Sequence, residues 1–214
     1  MSLKANKIGV EGVKYLSQGN FTSLKILDLG ANKIEVGTKY LSQENFPSLR
    51  CLDLSMNKIT DEAVNYLSQG NFAYLQTLNL SDNNVGVEGA KYLSRGNFSS
   101  LQTLNISANN IGVNGVDNLS QGNFTSLQTL DIRGNNIGIE GAKYLSQGNF
   151  ASLQKLDLSY NDIRNEGAKY LSQGNFPSLK ILDLSDNDIG EEIANYLLQG
   201  KYLSLSWKTN KKIE

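Results

Sequence analysis

The chain has no histidine, one cysteine and two prolines among its 214 residues, and each shortage narrows what it can be. Without histidine, neither a Ser/His/Asp nor a Cys/His nucleophilic arrangement can be assembled, and the common zinc sites lose their usual ligand. No loop of the G-x-x-x-x-G-K-[ST] type offers a phosphate cradle in their place. With Cys51 alone no disulfide forms within the chain, so a reducing location is expected, cytoplasmic or reached by delivery into a host cell. No apolar run reaches the length of a signal-peptide core or a membrane span, so no membrane is expected among the partners. Net charge is −1, with 20 basic against 21 acidic side chains. Nucleic acid is not expected either, because its footprint is a clustered basic face. The apolar share of 39% is enough for a core, and the charged share of 19% is below that of a disordered chain.

What is present is repetition. Asparagine recurs at positions 6, 32, 57, 83, 109, 135, 161 and 187, every step being 26 residues except one of 25. The motif around it reads Leu-x-x-Leu-x-Leu-x-x-Asn-x-Ile, then Gly-x-Glu-Gly-Ala-Lys-Tyr-Leu-Ser-Gln-Gly-Asn-Phe-x-Ser, most clearly from Leu127 to Ser152. A period of that length signals a stacked solenoid, in which each unit packs only on its neighbours. The motif resembles the leucine-rich repeat family, whose signature is Leu-x-x-Leu-x-Leu-x-x-Asn-x-Leu. Its second half, as in Glu140 to Leu145, is similar to the helix-bearing subclass that includes ribonuclease inhibitor and the Ran GTPase-activating protein, and to bacterial repeats of the Gly-Ala-Leu-Ala type. The resemblance implies an α/β fold: a right-handed horseshoe arc of about 7–8 repeats of 26 residues, a parallel β-sheet on its concave face and short α-helices on its convex face. Residues 1–214 then read as one domain: a half-repeat over 6–23, seven full repeats over 24–204 and a degenerate cap over 205–214.

Elementary physics assigns a role to each part of the unit. In Leu130-Asp131-Ile132 two apolar residues flank a polar one, the period-2 pattern of a strand with one buried face. Asn135 then sits in a tight bend whose backbone groups lack ladder partners, and an amide can donate and accept at once. A column of such residues should run through the solenoid as a hydrogen-bonded spine. A short helix is predicted from Ile139 to Gln147, with Ala142 and Leu145 inward, Gly141 permitting close approach to the sheet, and Gly148 as a left-handed stop. Glu11 with Lys14, Glu88 with Lys91, Glu140 with Lys143 and Glu166 with Lys169 are spaced as i,i+3 ion pairs on a solvated face. Tyrosines at 15, 40, 66, 92, 144, 170 and 196 form a further column, read as packing between helices.

The irregular copies predict local changes. The 25-residue step removes one residue between Asn32 and Gly37, which should shift the start of that helix without breaking the sheet. Residues 6–23 supply a helix but no strand, so the edge at Leu24 to Leu29 should be open to pairing. At the other end Lys208 falls where an inward leucine belongs in a worn eighth strand, with Trp207 and the lysines discouraging further stacking.

Exposed strand positions are where a partner would bind. The central column reads Asp28, Asp53, Asn79, Asn105, Asp131, Asp157 and Asp183. Strands lie about 4.8 Å apart, so the last three aspartates form a like-charge ladder that raises carboxylate pKa values unless Arg133 and Lys155 answer it. Side chains that differ from copy to copy give the surface its individuality: Ile26, Cys51, Met56, Asp82, Arg133, Lys155, Tyr160, Ile181, Asp186 and Trp207. Met56 and Tyr160 are the candidate anchors. The expectation is a non-enzymatic monomer, without cofactor or metal, that binds a protein through Asp28, Asp53, Met56, Asp131, Arg133, Lys155, Asp157, Tyr160, Asp183 and Trp207. The subclass resemblance implies, as alternatives, a regulator of an enzyme (a GTPase activator or an inhibitor) or a bacterial effector. A third reading is a structural protein that self-associates through its N-terminal edge.

Overall fold

The computed structural model describes residues 1–43, 46–197 and 204–206. Its strands are β1 (Ile26–Asp28), β2 (Cys51–Asp53), β3 (Thr77–Asn79), β4 (Thr103–Asn105), β5 (Thr129–Asp131), β6 (Lys155–Asp157), β7 (Ile181–Asp183) and β8 (Ser204–Ser206). They form one sheet in sequence order, every pair parallel. Helices alternate with them: α1 (Gly9–Ser17), α2 (Thr38–Gln43), α3 (Asp61–Gln69), α4 (Val87–Arg95), α5 (Gly112–Ser120), α6 (Gly138–Gln147), α7 (Arg164–Gln173) and α8 (Ala194–Leu197). A strand occupies about 4.8 Å along the stack and a helix about 10 Å, so helices and strands in equal number can stack only on an arc, with the sheet inside.

The core fills the space between the two layers. Within one copy Leu127, Leu130, Ile132, Ile137, Ala142, Leu145 and Phe150 are all buried. Each fully buried leucine or isoleucine contributes about 1.5–3 kcal/mol. The central leucines lie in strict register, Leu104 against Leu130 and Leu130 against Leu156, so one copy's core continues into the next. Phenylalanines make a parallel column at the far edge, with rings stacked 6.1 Å apart for Phe21 and Phe46 and 6.4 Å for Phe150 and Phe176. That column explains the repeated glycine better than a left-handed stop does. Gly148 is extended, at φ −72° and ψ 163°, and a Cβ there would lie 2.6 Å from the Phe150 ring and 3.0 Å from Ser120 Cβ. The glycine is needed for the closeness of the ring and not for its own backbone angle. Gly141 likewise makes room for Ile137 of its own copy, whose Cβ would be 2.8 Å away, and not for the sheet.

The asparagine spine forms as its geometry requires. Asn161 Nδ2 donates to the carbonyls of Ile132, Leu158 and Ser159 at 3.0, 3.0 and 3.2 Å, and its Oδ1 accepts the Asn135 N–H at 2.8 Å. One amide therefore closes its own bend and ties it to the preceding copy. The short step behaves as expected: a 3-10 turn at Glu35–Gly37 leads into the shortened α2, while Leu27 stays in register with Leu52. The tyrosine column is packed in mid-molecule, with Tyr40, Tyr92 and Tyr144 against the core, and open at Tyr15 and Tyr196.

Three further expectations need correction. The edge of β1 is not open, because residues 1–5 pair with it: Leu3 N donates to Asp28 O and Ala5 N to Gly30 O, both at 2.8 Å, and Ser2 bridges Asp28. Leu3-Lys-Ala-Asn6 repeats the Leu29-Gly-Ala-Asn32 pattern, so the segment ahead of Asn6 carries the end of a strand. At the other end Leu205, not Lys208, stands opposite Leu182, because the connection from β7 to β8 is three residues shorter than a full step. Lys208 and Trp207 lie outside the described residues. Three of the four helix ion pairs form, at 3.5, 2.7 and 3.1 Å, but Lys169 turns away from Glu166 and lies 5.3 Å from the centre of the Tyr196 ring.

Candidate functional site

The strands place their odd and even positions on opposite faces, leaving three columns on the concave side. The first runs Ile26, Cys51, Thr77, Thr103, Thr129, Lys155 and Ile181. Its three middle members are identical threonines and its ends are not. Ile26 is 56% exposed and Ile181 39%, aliphatic side chains left on a solvated sheet. Burial, followed by the nearby Asp53 and Asp28, pushes the Cys51 thiol up, which keeps it protonated and unreactive at neutral pH.

The central column is the aspartate ladder, and it is in register as expected: Asp131 faces Asp157, and Asp157 faces Asp183. One oxygen of each carboxylate, Oδ1, is committed inside the molecule. Asp157 Oδ1 accepts the Ser159 N–H at 3.1 Å and the Ser159 hydroxyl at 2.7 Å; Asp53 does the same with Ser55, and Asp183 with Ser185. Asp28 accepts from Gly30 N and Asp131 from Arg133 N, both at 3.1 Å. These are turn-closing bonds, the local pattern aspartate and asparagine offer to a backbone leaving a strand. Asn79 and Asn105 make the same bonds, to Ser81 and Ser107. A side chain whose role survives exchange of carboxylate for amide is there for its acceptor oxygen. Asp157, read from the sequence as exposed, is buried at 9%.

Charge is only partly answered on this ladder. Arg133 reaches Asp131 at 3.8 Å, and both Arg133 and Lys155 pull the Asp131 pKa down. Burial and Asp157 prevail, and the Asp131 carboxyl is held above its ordinary range. Among the described residues no group of three Asp, Glu, Cys or His side chains converges on a point where an ion could sit.

Met56 and Tyr160 do not lie on the sheet. They sit in the bend beyond it, one residue before the spine asparagine, 56% and 60% exposed. Both adopt left-handed backbone angles, φ +56°, and so does every copy at this place: Ala5, Ala31, Asp82, Ala108, Gly134 and Asp186. A left-handed residue with a Cβ costs about 1–2 kcal/mol, and bulky ones are rarest there. The structure thus divides the predicted residues into two groups. Asp28, Asp53, Asp131, Lys155, Asp157 and Asp183 lie on strands, with Arg133 just past one; Met56 and Tyr160 belong to the rim. Sequence reading missed the rim as a surface of its own, although its signal was in the repeat: the positions flanking the asparagine vary while the asparagine does not.

Known proteins place this architecture. The Leucine Rich repeat profile matches residues 47–68, 73–94, 99–120, 125–146, 151–172 and 177–198, more than half of the chain. Among solved structures the chain is similar to an internalin from Listeria monocytogenes, with 25% identity and a TM-score of 0.63 over 92% of this chain and 51% of that one. It thus spans about half of that protein's length. TLR13, solved in complex with ssRNA13, is 22% identical with a TM-score of 0.58 over 94% of this chain and 27% of that one, a likeness of fold. No curated protein matches the chain in sequence. The order of strands, the asparagine spine and the six matched repeats lead to one conclusion: the chain belongs to the leucine-rich repeat family.

Proposed function

We propose that the chain is a non-enzymatic interaction module that takes up a protein partner on its concave sheet face. The observation that carries this reading is the first sheet column, where exposed Ile26 and Ile181 stand beyond Cys51 and Lys155 at either end of a run of identical threonines. Packing accounts for neither isoleucine, and a partner that desolvates them would gain about 25 cal/mol for each Å² of apolar surface covered. A protein suits this face better than a phosphate backbone, because the aspartates balance Lys25, Arg50, Arg133, Lys155 and Lys180 around the sheet. Nucleic acid would need an excess of cations. The central aspartates contribute mainly by shaping the bend, leaving Lys155, Arg133 and the isoleucines as the contacts with energy to give. The test is affinity capture with crosslinking, comparing the parent chain with a Lys155→Glu, Ile181→Glu variant. Both side chains are exposed, so the variant should melt as the parent does and lose the partner. Equal recovery of the same partner by both chains would refute the concave-face reading.

A further inference from the structure

The rim of bends carries an ordered charge pattern that the sheet does not. The residue after the spine asparagine is Lys7, Lys33 and Lys58 in the first three copies. It is Asn84, Asn110 and Asn136 in the next three, then Asp162 and Asp188 in the last two, and all eight are exposed. Positive charge at one end thus gives way to neutral amides and then to negative charge at the other. Backbone bonds link the bends from copy to copy, as from Met56 N to Ser81 O and from Tyr160 N to Ser185 O, both at 3.0 Å. The rim therefore advances at the strand spacing of about 4.8 Å.

A two-fold axis through the middle of this rim reverses its order. The reversed rim of a second molecule sets Lys7 against Asp188 and Lys33 against Asp162, each twice. Two other columns agree with that register. Two residues further along, Glu35 comes opposite Arg164, which holds Asp162 of its own bend at 3.0 Å, so Lys33 and Glu35 of one copy meet the Asp162–Arg164 pair of the other as a cluster of four charges. One residue before the asparagine, exposed Tyr160 comes opposite Ala31, and exposed Met56 opposite Gly134. Each large side chain meets a small one, which gives Met56 and Tyr160 a use at their left-handed positions that nothing within one molecule supplies. Lys58 faces the neutral Asn136. A parallel arrangement would instead set lysine on lysine, at a cost that makes it the wrong one.

We infer that the bend rim is a self-docking surface, and that its occupant is a second copy of this chain in antiparallel, two-fold arrangement. Such an isologous contact is the commonest way for identical chains to pair. The rim is roughly 35 Å long and about 10 Å wide, some 400 Å² per copy against the roughly 800 Å² of a standard interface, so the pairing is weak. It rests on exposed charges and weakens with salt, whose screening length is about 10 Å at 0.1 M. The expected monomer gives way to a concentration-dependent dimer, and the concave faces stay free for the partner proposed above.

Sedimentation velocity on the full chain, from micromolar to millimolar concentration at low and high salt, tests this. The parent should dimerise at low salt and dissociate at high salt. Lys7→Asp with Lys33→Asp should weaken dimerisation by more than about tenfold, and so should Asp162→Lys with Asp188→Lys, because each puts like charges opposite one another where Lys7 meets Asp188 and Lys33 meets Asp162 in the parent. All four changes together restore opposite signs across an antiparallel axis, so that variant should dimerise again. All of these side chains are exposed, and a thermal melt of each variant checks that it folds. A parent that stays monomeric throughout, double variants that pair as well as the parent, or a folded fourfold variant that does not pair would each overturn the inference.

Discussion

Tyr160, Asn161 and Asp162 are consecutive residues of one bend that answer to different constraints. Asn161 is 1% exposed and holds four backbone groups from two copies. Tyr160 is 60% exposed, and the Asp162 side chain 63%, its carboxylate held by Arg164 of the same bend. The spine is constant because losing the amide leaves the buried N–H of the preceding copy's asparagine without its acceptor. The rim, one residue to either side, carries no such obligation and is free to vary. On the side that follows the asparagine the variation is ordered along the solenoid, lysine to asparagine to aspartate, whereas unconstrained drift would scatter signs at random.

The largest effect expected is loss of a spine residue. Asn161→Ala leaves the buried Asn135 N–H without its acceptor, at about 1–3 kcal/mol, and removes three further bonds worth about 0.5–1.5 kcal/mol each, from the carbonyls of Ile132, Leu158 and Ser159, which keep Asn135 Nδ2, Asn187 Nδ2 and Gly134 N–H as donors. We expect a loss of roughly 4 kcal/mol in urea unfolding, with the transition broadening, because a weakened central copy uncouples the two halves of a nearest-neighbour stack. Asp162→Asn next door should change stability by less than about 0.5 kcal/mol. Comparable losses from the two substitutions would erase the distinction between spine and rim.

The central aspartates sharpen the contrast between scaffold and surface. Asp157→Ala removes the acceptor for both Ser159 N–H and Ser159 hydroxyl, at an expected cost of about 1–2 kcal/mol. Asp157→Asn keeps that acceptor, as Asn105 does for Ser107, and should keep most of the stability. If amide and alanine prove equally damaging in thermal melts, charge rather than turn closure is what the ladder supplies.

Nearly all of the scaffold was legible in the sequence because its constraints are periodic. Asn135 recurs where a bend needs an amide and Leu130 where a strand faces the core, so copies confirm one another. What was not legible depended on contacts between different columns. Gly148 reads as a helix stop until the Phe150 ring is seen against it. Asp157 reads as surface charge until its oxygen is found on Ser159. Met56 and Tyr160 read as sheet residues because alternation says nothing of where a three-residue strand ends, and their left-handed angles lie outside any hydropathy pattern. The β1 edge was misjudged because Met1 to Ala5 is too short to show a period of its own.

A smaller effect probes the rim from the opposite direction. Tyr160→Gly relieves a left-handed backbone held at φ +56°, in a column where Gly134 already occurs. Glycine loses more freedom on folding, so the expected net gain is only about 0.5–1 kcal/mol, measured in dilute solution where molecules do not pair. The same change should weaken dimerisation at millimolar concentration by emptying the space opposite Ala31. A substitution that stabilises the fold and weakens self-association would mark Tyr160 as a residue kept for contact at the expense of stability.

The smallest effect expected is a pH dependence within the aspartate ladder. The Asp131 carboxyl is held above its ordinary range by burial first and by Asp157 next, against the Arg133 N–H bond and the charges of Arg133 and Lys155. A group that binds its proton more tightly when folded stabilises the fold most at pH below its unfolded pKa, and loses that contribution as pH rises through the folded value. At neutral pH the ionised Asp131 is therefore a small liability. Asp131→Asn removes it while keeping the oxygen that accepts from Arg133 N, and gives up only a long ion pair of 3.8 Å to an exposed arginine. The variant should be more stable than the parent at pH 7 by well under about 1 kcal/mol, and the gap should close on acidification to about pH 3. A parent more stable than the variant at pH 7, with an advantage that disappears in acid, would mean that Arg133 and Lys155 outweigh burial, and that the ladder is an ionic device after all.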